Sequence, residues 1–512
     1  MMSVTHAAPI DPVTKRDADH IFLELTRSIC PECRRPIDAQ VLIRDNKVYL
    51  KKRCPDHGLF ESLVYADAEA YVAATRLNKP GTIPLQFSTE VAAGCPYDCG
   101  LCPDHQQHAC VGIIEVNSAC NMACPLCFAD AQPGFNLSLE DVEEILDDFI
   151  AAEGNPQVVQ FSGGEPTIHP HIISMVKAAK ARGIPHVMIN TNGKRIARDD
   201  RFLAELAEVQ PSLYFQFDGF EEETYRIVRG EPDILPEKLR ALDRLAEIKC
   251  DVVLVPAIER GVNEHEIGRI VEFALRHPAV RGVNFQPAFH AGRHADHDPL
   301  QRMTIPDVLR GIEEQTHGTF VVSDFVPIPC CFPTCNSVTY AYVDEDQVTP
   351  LPRLLQVEDY LDYIANRVLP DIGTEIKTAL EGLWSSSAMP GSEASNNAFA
   401  VTCAACGLPE GLDVSAFADR MFMIMLQDFM DPWTFNQKNV MKCCKEFLLP
   451  GGLQIPFCSY NTVGYREQAR PQLIARDRAR NRAKRDGMPF QPEQITFDFP
   501  FAQAPRRMNA QS

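Results

Sequence analysis

Residues 112–127 read GIIEVNSACNMACPLC, an apolar, strand-like run that ends in three cysteines spaced CxxxCxxC. That loop constrains the chain more than any other stretch. A [4Fe–4S] cluster presents four irons to external ligands. Cys120, Cys124 and Cys127 can hold three of them and leave the fourth open to an exchangeable ligand, whereas a cysteine-only electron carrier usually saturates all four. The thiols have company: 512 residues carry 19 cysteines, gathered at 30/33/54, 95/99/102/110, 120/124/127, 330/331/335, 403/406, 443/444 and 458, with Cys250 alone. The count is odd, and the N-terminus MMSVTHAAPIDP lacks a basic flank followed by an apolar core. Both facts argue against a secreted disulfide scaffold and for metal sites in a reducing, cytoplasmic compartment.

The first cysteine group has its own logic. CPEC at 30–33 and CPDH at 54–57 flank AQVLIRDNKVYLKKR, which reads as a hairpin turning at Asp45-Asn46. Two ligand pairs at the ends of a hairpin can converge on one ion. Three sulfurs and an imidazole, from Cys30, Cys33, Cys54 and His57, suit tetrahedral zinc, and iron takes similar geometry. So short a segment has too little core of its own without a metal. A rubredoxin/zinc-ribbon-like module, structural or accessory to electron transfer, is expected over 24–75.

From 112 to 290 the chain repeats strand and helix. GIIEVNSA is followed by LSLEDVEEILDDFIAAEG, whose apolar positions recur with helical spacing behind Ser138 as an N-cap. QVVQFSGGEP, HVMINTNG, SLYFQFDG, CDVVLVPAI and VRGVNFQPA then alternate with helical stretches, six strand–helix steps in all. The strands are rich in Val, Ile and Phe with little alternation, as buried parallel strands are. The expected class is α/β, a partial or complete β/α barrel fitting better than a doubly wound sheet. Polar residues gather at the strand ends (Glu165, Asn190, Asn192, Gln216, Asp218, Asn284, Gln286), where a β/α barrel carries its site.

These motifs together resemble the radical S-adenosylmethionine (radical SAM) superfamily: CNMACPLC followed by Phe128, SGGEP at 162–166, TNG at 191–193, QFDG at 216–219 and NFQP at 284–287. The resemblance implies a partial (β/α)6 barrel over 112–300. It implies a cluster on Cys120, Cys124 and Cys127 whose open iron binds SAM. Reductive cleavage would give a 5′-deoxyadenosyl radical, with an external one-electron donor such as flavodoxin or ferredoxin. Gly163 and Gly164 would permit close backbone approach, and Glu165 with neighbouring groups at Pro166 would orient the SAM amino end. Asn192, Gln216 and Asn284 are further candidates for cofactor contacts, Asp218 for a contact or a cap, and Arg293 for the SAM carboxylate or a substrate anion.

More cysteines remain than one cluster needs. CPYDCGLC at 95–102 is a second CxxxCxxC, assigning Cys95, Cys99 and Cys102 to an auxiliary cluster in segment 76–111. A second auxiliary cluster draws on Cys331, Cys335, Cys443 or Cys444, and Cys458, within a cysteine-rich region over 301–465. Three [4Fe–4S] clusters and one mononuclear ion are therefore expected. Cys330 and the CAAC at 403–406 are spare candidates, while Cys110 and Cys250 read as buried thiols. The whole layout resembles a radical SAM subgroup that includes the enzyme methylating 7,8-dihydro-6-hydroxymethylpterin and the archaeal tetraether lipid synthase. It implies methyl transfer or carbon–carbon coupling at an unactivated carbon of a pterin-like or lipid substrate. A radical SAM oxidoreductase, with auxiliary clusters as electron acceptors, is the alternative. A non-enzymatic Fe–S scaffold is a third class.

A net charge of −20 argues against nucleic acid as a partner. No run is long enough for a transmembrane segment, though peripheral membrane contact stays open. ADRMFMIMLQDFMDPWTF at 418–435 reads as a core helix. The Arg-rich stretch from Tyr465, in a terminal segment over 466–512, reads as a solvated helix with a frayed end at 502–512.

Overall fold

A computed structural model describes residues 18–78, 80–294, 297–328, 331–344, 347–353 and 420–501. Cys330, the CAAC at 403–406 and the 502–512 end lie outside the described residues.

Four antiparallel strands, β1 (Ile21–Ile29), β2 (Pro36–Arg44), β3 (Lys47–Cys54) and β4 (Gly58–Tyr65), form the N-terminal sheet in sequential order. Its central hairpin turns at Asp45-Asn46, both with positive φ, as a two-residue turn matching the strand twist requires. The sheet is pinned to the rest of the chain by Lys52. Its buried ammonium donates to Ser28 Oγ at 3.0 Å and to the carbonyls of Pro432 and Trp433 at 2.7 and 2.8 Å. Phe60 packs edge-on against Trp433.

The second sheet begins with β5 (Val111–Asn117), β6 (Val158–Gly163), β7 (His186–Thr191), β8 (Ser212–Gln216), β9 (Val252–Val255), the two-residue β10 (Ala257–Ile258) and β11 (Val280–Pro287). It continues through β12 (Asn336–Asp344), β13 (Gln347–Pro350), β14 (Met421–Gln427), β15 (Lys445–Leu449) and β16 (Leu453–Pro456). From β5 to β9 and on to β11 the strands are parallel and spatially in chain order, without the reversal that marks a doubly wound sheet. All seven residues of β5 are buried, which is why the apolar run showed no alternation. Crossover helices follow as the periodicity indicated. Leu139–Glu153 starts at Ser138, whose side chain and Asp141 form a reciprocal capping box.

Three expectations change. The parallel array is wider than six strands: β14 adds beside β11 and β15 beside β5, so the cysteine-rich region supplies both flanks. The methionine-rich stretch is therefore strand, not helix. Every residue of Met421–Gln427 is buried within the sheet, and pairing on both sides outweighs the helical propensity of its methionines. Lys445 on β15 also reaches Gln427 on β14, so the two outermost parallel strands meet through side chains. The Arg-rich helix Tyr465–Asp486 is docked rather than solvated. Arg466 pairs with buried Glu115, Arg470 donates to the Ala129 and Asp130 carbonyls, and Arg476 and Arg480 pair with Asp141.

Candidate active site

One cavity of about 1350 Å³, its open mouth included, collects residues from β5, β6, β7, β8, β9, β11, β14 and β15. Cys120, Cys124, Cys127 and Phe128 line it, with Gly163, Gly164, Glu165, Pro166, Asn192, Gln216 and Asn284. The C-terminal ends of strands distant in sequence thus meet at the cysteine loop.

The glycines explain how that loop is held. Gly164 N–H donates to the Asn117 carbonyl and Glu165 N–H to the Ala119 carbonyl, both at 2.9 Å. A Cβ at Gly163 would stand 2.2 Å from Asn117 O, and one at Gly164 would stand 2.1 Å from Ala119 O. Only glycine lets β6 press this close to the strand that delivers Cys120. The close approach is thus to the cysteine loop itself. The Glu165 carboxylate is engaged by four donors: Thr167 N–H and hydroxyl at 3.0 and 2.6 Å, Thr191 hydroxyl at 2.8 Å and Asn192 N–H at 2.8 Å. It ties the β6 and β7 ends together while still facing the cavity. Asn192 Nδ2 donates to Asn121 Oδ1 within the cysteine loop at 2.7 Å.

Burial pushes the Cys120 thiol up to about 12, and nearby Glu165, Cys124 and Cys127 add to it. Burial also raises Cys124, against the pull of Arg229 and Lys238. Buried thiols of this kind stay protonated unless a metal centre takes the thiolate charge, so this donor set fits an iron–sulfur cluster.

Two candidates do not reach the cavity wall. Asp218 is fully buried behind it, where both oxygens face Arg229 at 2.5 and 2.6 Å and one also accepts from Ala257 N–H. An aspartate so engaged fixes Arg229, which does line the cavity. Arg293 turns to the cysteine loop instead of an anion. It pairs with Asp130 at 2.9 Å and donates to the Cys124 and Ala131 carbonyls, while its N–H bonds Cys127 O at 3.0 Å. Arg293 and Arg470 together clamp the backbone of residues 129–131.

Sequence reasoning passed over Lys445, Tyr214, Gln427, Arg229 and Lys238. Lys445 lines the cavity and donates to Asn336 Oδ1 at 3.0 Å. Burial opposes its charge, but Cys444, Cys331 and Cys443 hold its pKa up when they carry thiolate charge. Lys238 lies behind Gln216, donating to its carbonyl at 2.7 Å, and burial brings its pKa down to about 8. No local motif marks either lysine. A lysine inside an otherwise apolar strand or helix face was the sole available signal.

The remaining ligand candidates form separate groups. Cys30, Cys33, Cys54 and His57 present ligand atoms all within 4.8 Å of one another, the convergence a single ion needs. Cys95, Cys99 and Cys102 line a small cavity with His105, Met441 and Pro456. Half-buried Cys335 lies near enough to buried Cys458 to raise that thiol's charge cost, and Cys443 senses Cys444 and Cys458. Cys331 accepts from Asn336 at 2.7 Å. Cys110 and Cys250 are buried, the latter against the Pro211 carbonyl.

Residues 114–274 match the radical SAM superfamily, and residues 22–66 match the HMPTM N-terminal zinc ribbon domain. Over 483 residues the chain is 34% identical to the 7,8-dihydro-6-hydroxymethylpterin dimethyltransferase of Methanocaldococcus jannaschii, covering 86% of this chain and 94% of that protein. A GTP 3′,8-cyclase of Chlorobaculum tepidum is 34% identical over 178 residues, covering 34% of this chain and 53% of the cyclase. A radical SAM core at the cysteine loop, a zinc-ribbon match at the converged Cys3His set and near full-length similarity agree: the chain is a radical SAM enzyme and belongs to the family of the pterin dimethyltransferase.

Proposed function

We propose that this enzyme methylates a pterin-like heterocycle, with the relative's substrate class as the guide. The observation that carries the reading is the character of the cavity. Side-chain amides of Gln160, Asn190, Gln216, Asn284, Gln286 and Gln427 line it together with the rings of Phe128, Phe429, Phe447 and Phe457. Amides both donate and accept, as the edge of a pterin does, and aromatic faces stack on a flat ring. Asn284 Oδ1 has no hydrogen-bond partner among the described residues. A hydrocarbon chain would bury these amides unpaired, which disfavours the lipid-coupling version.

When bound, a cluster and SAM supply reductive cleavage of the sulfonium to a carbon radical. Cys120, Cys124 and Cys127 would hold that cluster, and the residues 163–166 and Asn192 would seat the methionine end. The packed rings of Phe128, Phe289, Phe429 and Phe457 keep water from the reacting carbon. Arg229, held by Asp218, presents a fixed guanidinium edge to the cavity with its charge balanced by that carboxylate. The strand order and the Lys445–Gln427 contact support the reading of an incomplete barrel. The cysteine groups support two auxiliary clusters, one on Cys95, Cys99 and Cys102 and another drawing on Cys331, Cys335, Cys443 or Cys444, and Cys458. Zinc or iron sits at the N-terminal set, and an external electron donor serves the whole. Among the described residues no helix is long and apolar enough to cross a membrane. The auxiliary groups also support an oxidative outcome, which product mass separates from transfer.

The test is anaerobic incubation of cluster-loaded enzyme with methyl-labelled SAM, reductant, a reduced 6-hydroxymethylpterin and cell extract as a source of other one-carbon donors, because radical cleavage leaves that SAM's methyl on methionine and the transferred methyl must come from a second SAM or another donor. A product heavier by one or two methyl groups is expected, and Gln286→Leu should weaken pterin binding while leaving 5′-deoxyadenosine formation intact. A dehydrogenated product without added carbon, or no pterin binding at all, would overturn the assignment.

A further inference from the structure

Three histidines that this chemistry leaves unused stand together just beyond β11. His290 and His297 stack with ring centroids 3.5 Å apart and planes 5° from parallel, and His294 lies 4.5 Å from His290. Asp431, on the loop after β14, joins His290 and His297 in a set whose ligand atoms all fall within 4.8 Å of one another. Glu259 forms a second such set with His290 and His294.

The first set is the one with unmet capacity. His290 Nδ1, His297 Nε2 and Asp431 Oδ2 are buried and have no hydrogen-bond partner among the described residues. Asp431 is fully buried and His290 is 6% exposed. The other Asp431 oxygen is occupied by Trp433 N–H, Thr434 N–H and the Thr434 hydroxyl at 2.8, 2.9 and 3.0 Å, which leaves Oδ2 open. In the second set His294 Nε2 and Glu259 Oε2 already meet at 3.2 Å. Arg34, Lys52 and Arg302 are the cations that face Asp431. Arg302 is paired with Asp428 at 2.5 and 3.2 Å, and Lys52 donates to Ser28 Oγ and to the Pro432 and Trp433 carbonyls rather than to Asp431. Buried polar atoms seldom go unpaired, and two imidazoles and a carboxylate with ligand atoms within 4.8 Å of one another are what a cation satisfies once the stacked rings turn their planes toward it.

We propose that His290, His297 and Asp431 bind a divalent first-row transition metal ion, flanked by the His294–Glu259 pair and independent of every thiolate site. Two imidazoles and one carboxylate suit Zn²⁺ or Fe²⁺ and leave further positions for water or another ligand. The site sits where three parts of the chain meet. Trp433 packs against both His297 and Phe60, and Pro299 O accepts from Leu63 N–H at 2.8 Å. An ion here ties the N-terminal sheet to the loops after β11 and β14. Phe429, close in the chain to Asp431, lines the substrate cavity, and Phe289, next to His290, lines an adjoining pocket with it, so the ion also steadies that wall.

The test uses full-length, cluster-loaded protein equilibrated with Zn²⁺ and then dialysed extensively against metal-free buffer. Metal is counted by mass spectrometry, and coordination is read by zinc X-ray absorption. Asp431→Asn and His297→Ala should each hold one zinc equivalent fewer than the wild type, and the component lost should have only nitrogen and oxygen ligands. Cys30→Ser should keep that component. Wild-type zinc content in both Asp431→Asn and His297→Ala, or a wild type without any sulfur-free zinc, overturns the proposal. Should Asp431→Asn fail to fold, the more exposed His297→Ala decides.

Discussion

Gly164 sets the separation between the cysteine loop and β6, and Gly164→Ala measures how much that separation matters. The new Cβ would lie 2.1 Å from Ala119 O and 2.8 Å from Ser118 O, both backbone atoms without a rotamer to move. Ordinary contact begins at 3.4 Å, so Ala119 O must retreat from 2.1 to 3.4 Å, about 1.3 Å. Ala119 immediately precedes Cys120, and its carbonyl accepts the Glu165 N–H bond that registers β5 against β6. Overpacking of this kind costs about 1–3 kcal/mol, too little to unfold a chain of this size. A displacement near 1 Å at a reacting centre lowers rate by about 100-fold. The assay is 5′-deoxyadenosine release from SAM by cluster-loaded, reduced enzyme, run beside iron content and thermal midpoint. A fall of about 100-fold with a small drop in midpoint is expected. Gly183→Ala is the control: its φ is also unusual for an L residue, at +81°, but nothing lies within 4 Å of the added Cβ. It should cost about 1 kcal/mol of stability and leave the rate alone. Wild-type cleavage by Gly164→Ala would refute the argument that this contact places the cysteine loop.

Cys124→Ala should abolish reductive SAM cleavage while retaining the fold, checked by deoxyadenosine assay and circular dichroism. Asp218→Asn leaves Arg229 buried with half its partner, and denaturant unfolding should show a loss of about 3–5 kcal/mol. Burial pushes His186 down to about 4 from its ordinary 6.5. The unfolded chain thus binds the extra proton between those values. Its contribution to stability is intact above about 6.5 and is lost as pH falls toward 4. Between pH 6.5 and 5 this one group removes about 1.5 kcal/mol, so urea unfolding of His186→Phe should show a correspondingly shallower acid loss.

Much of the site was legible because its signals are local. The CxxxCxxC loop, the GGEP turn after a buried strand, the hairpin between CPEC and CPDH and the Ser138 cap each occupy one short continuous segment, and spacing along the chain dictates their geometry. What the sequence alone determined is therefore the chemistry on offer: three thiolates beside an open coordination position, a single-ion module and a β/α core to carry them. Tertiary structure decided which side chains serve that chemistry. Asp218 and Arg293 look like ligands from their strand-end positions, yet Arg229 and the 129–131 backbone claim them. Lys445 and Asp431 look like nothing in particular until β15 and the loop after β14 come beside strands more than a hundred residues away. Local spacing fixes bond geometry within a turn or two, whereas burial and charge pairing depend on which distant segments pack together, and no motif within a single segment encodes that.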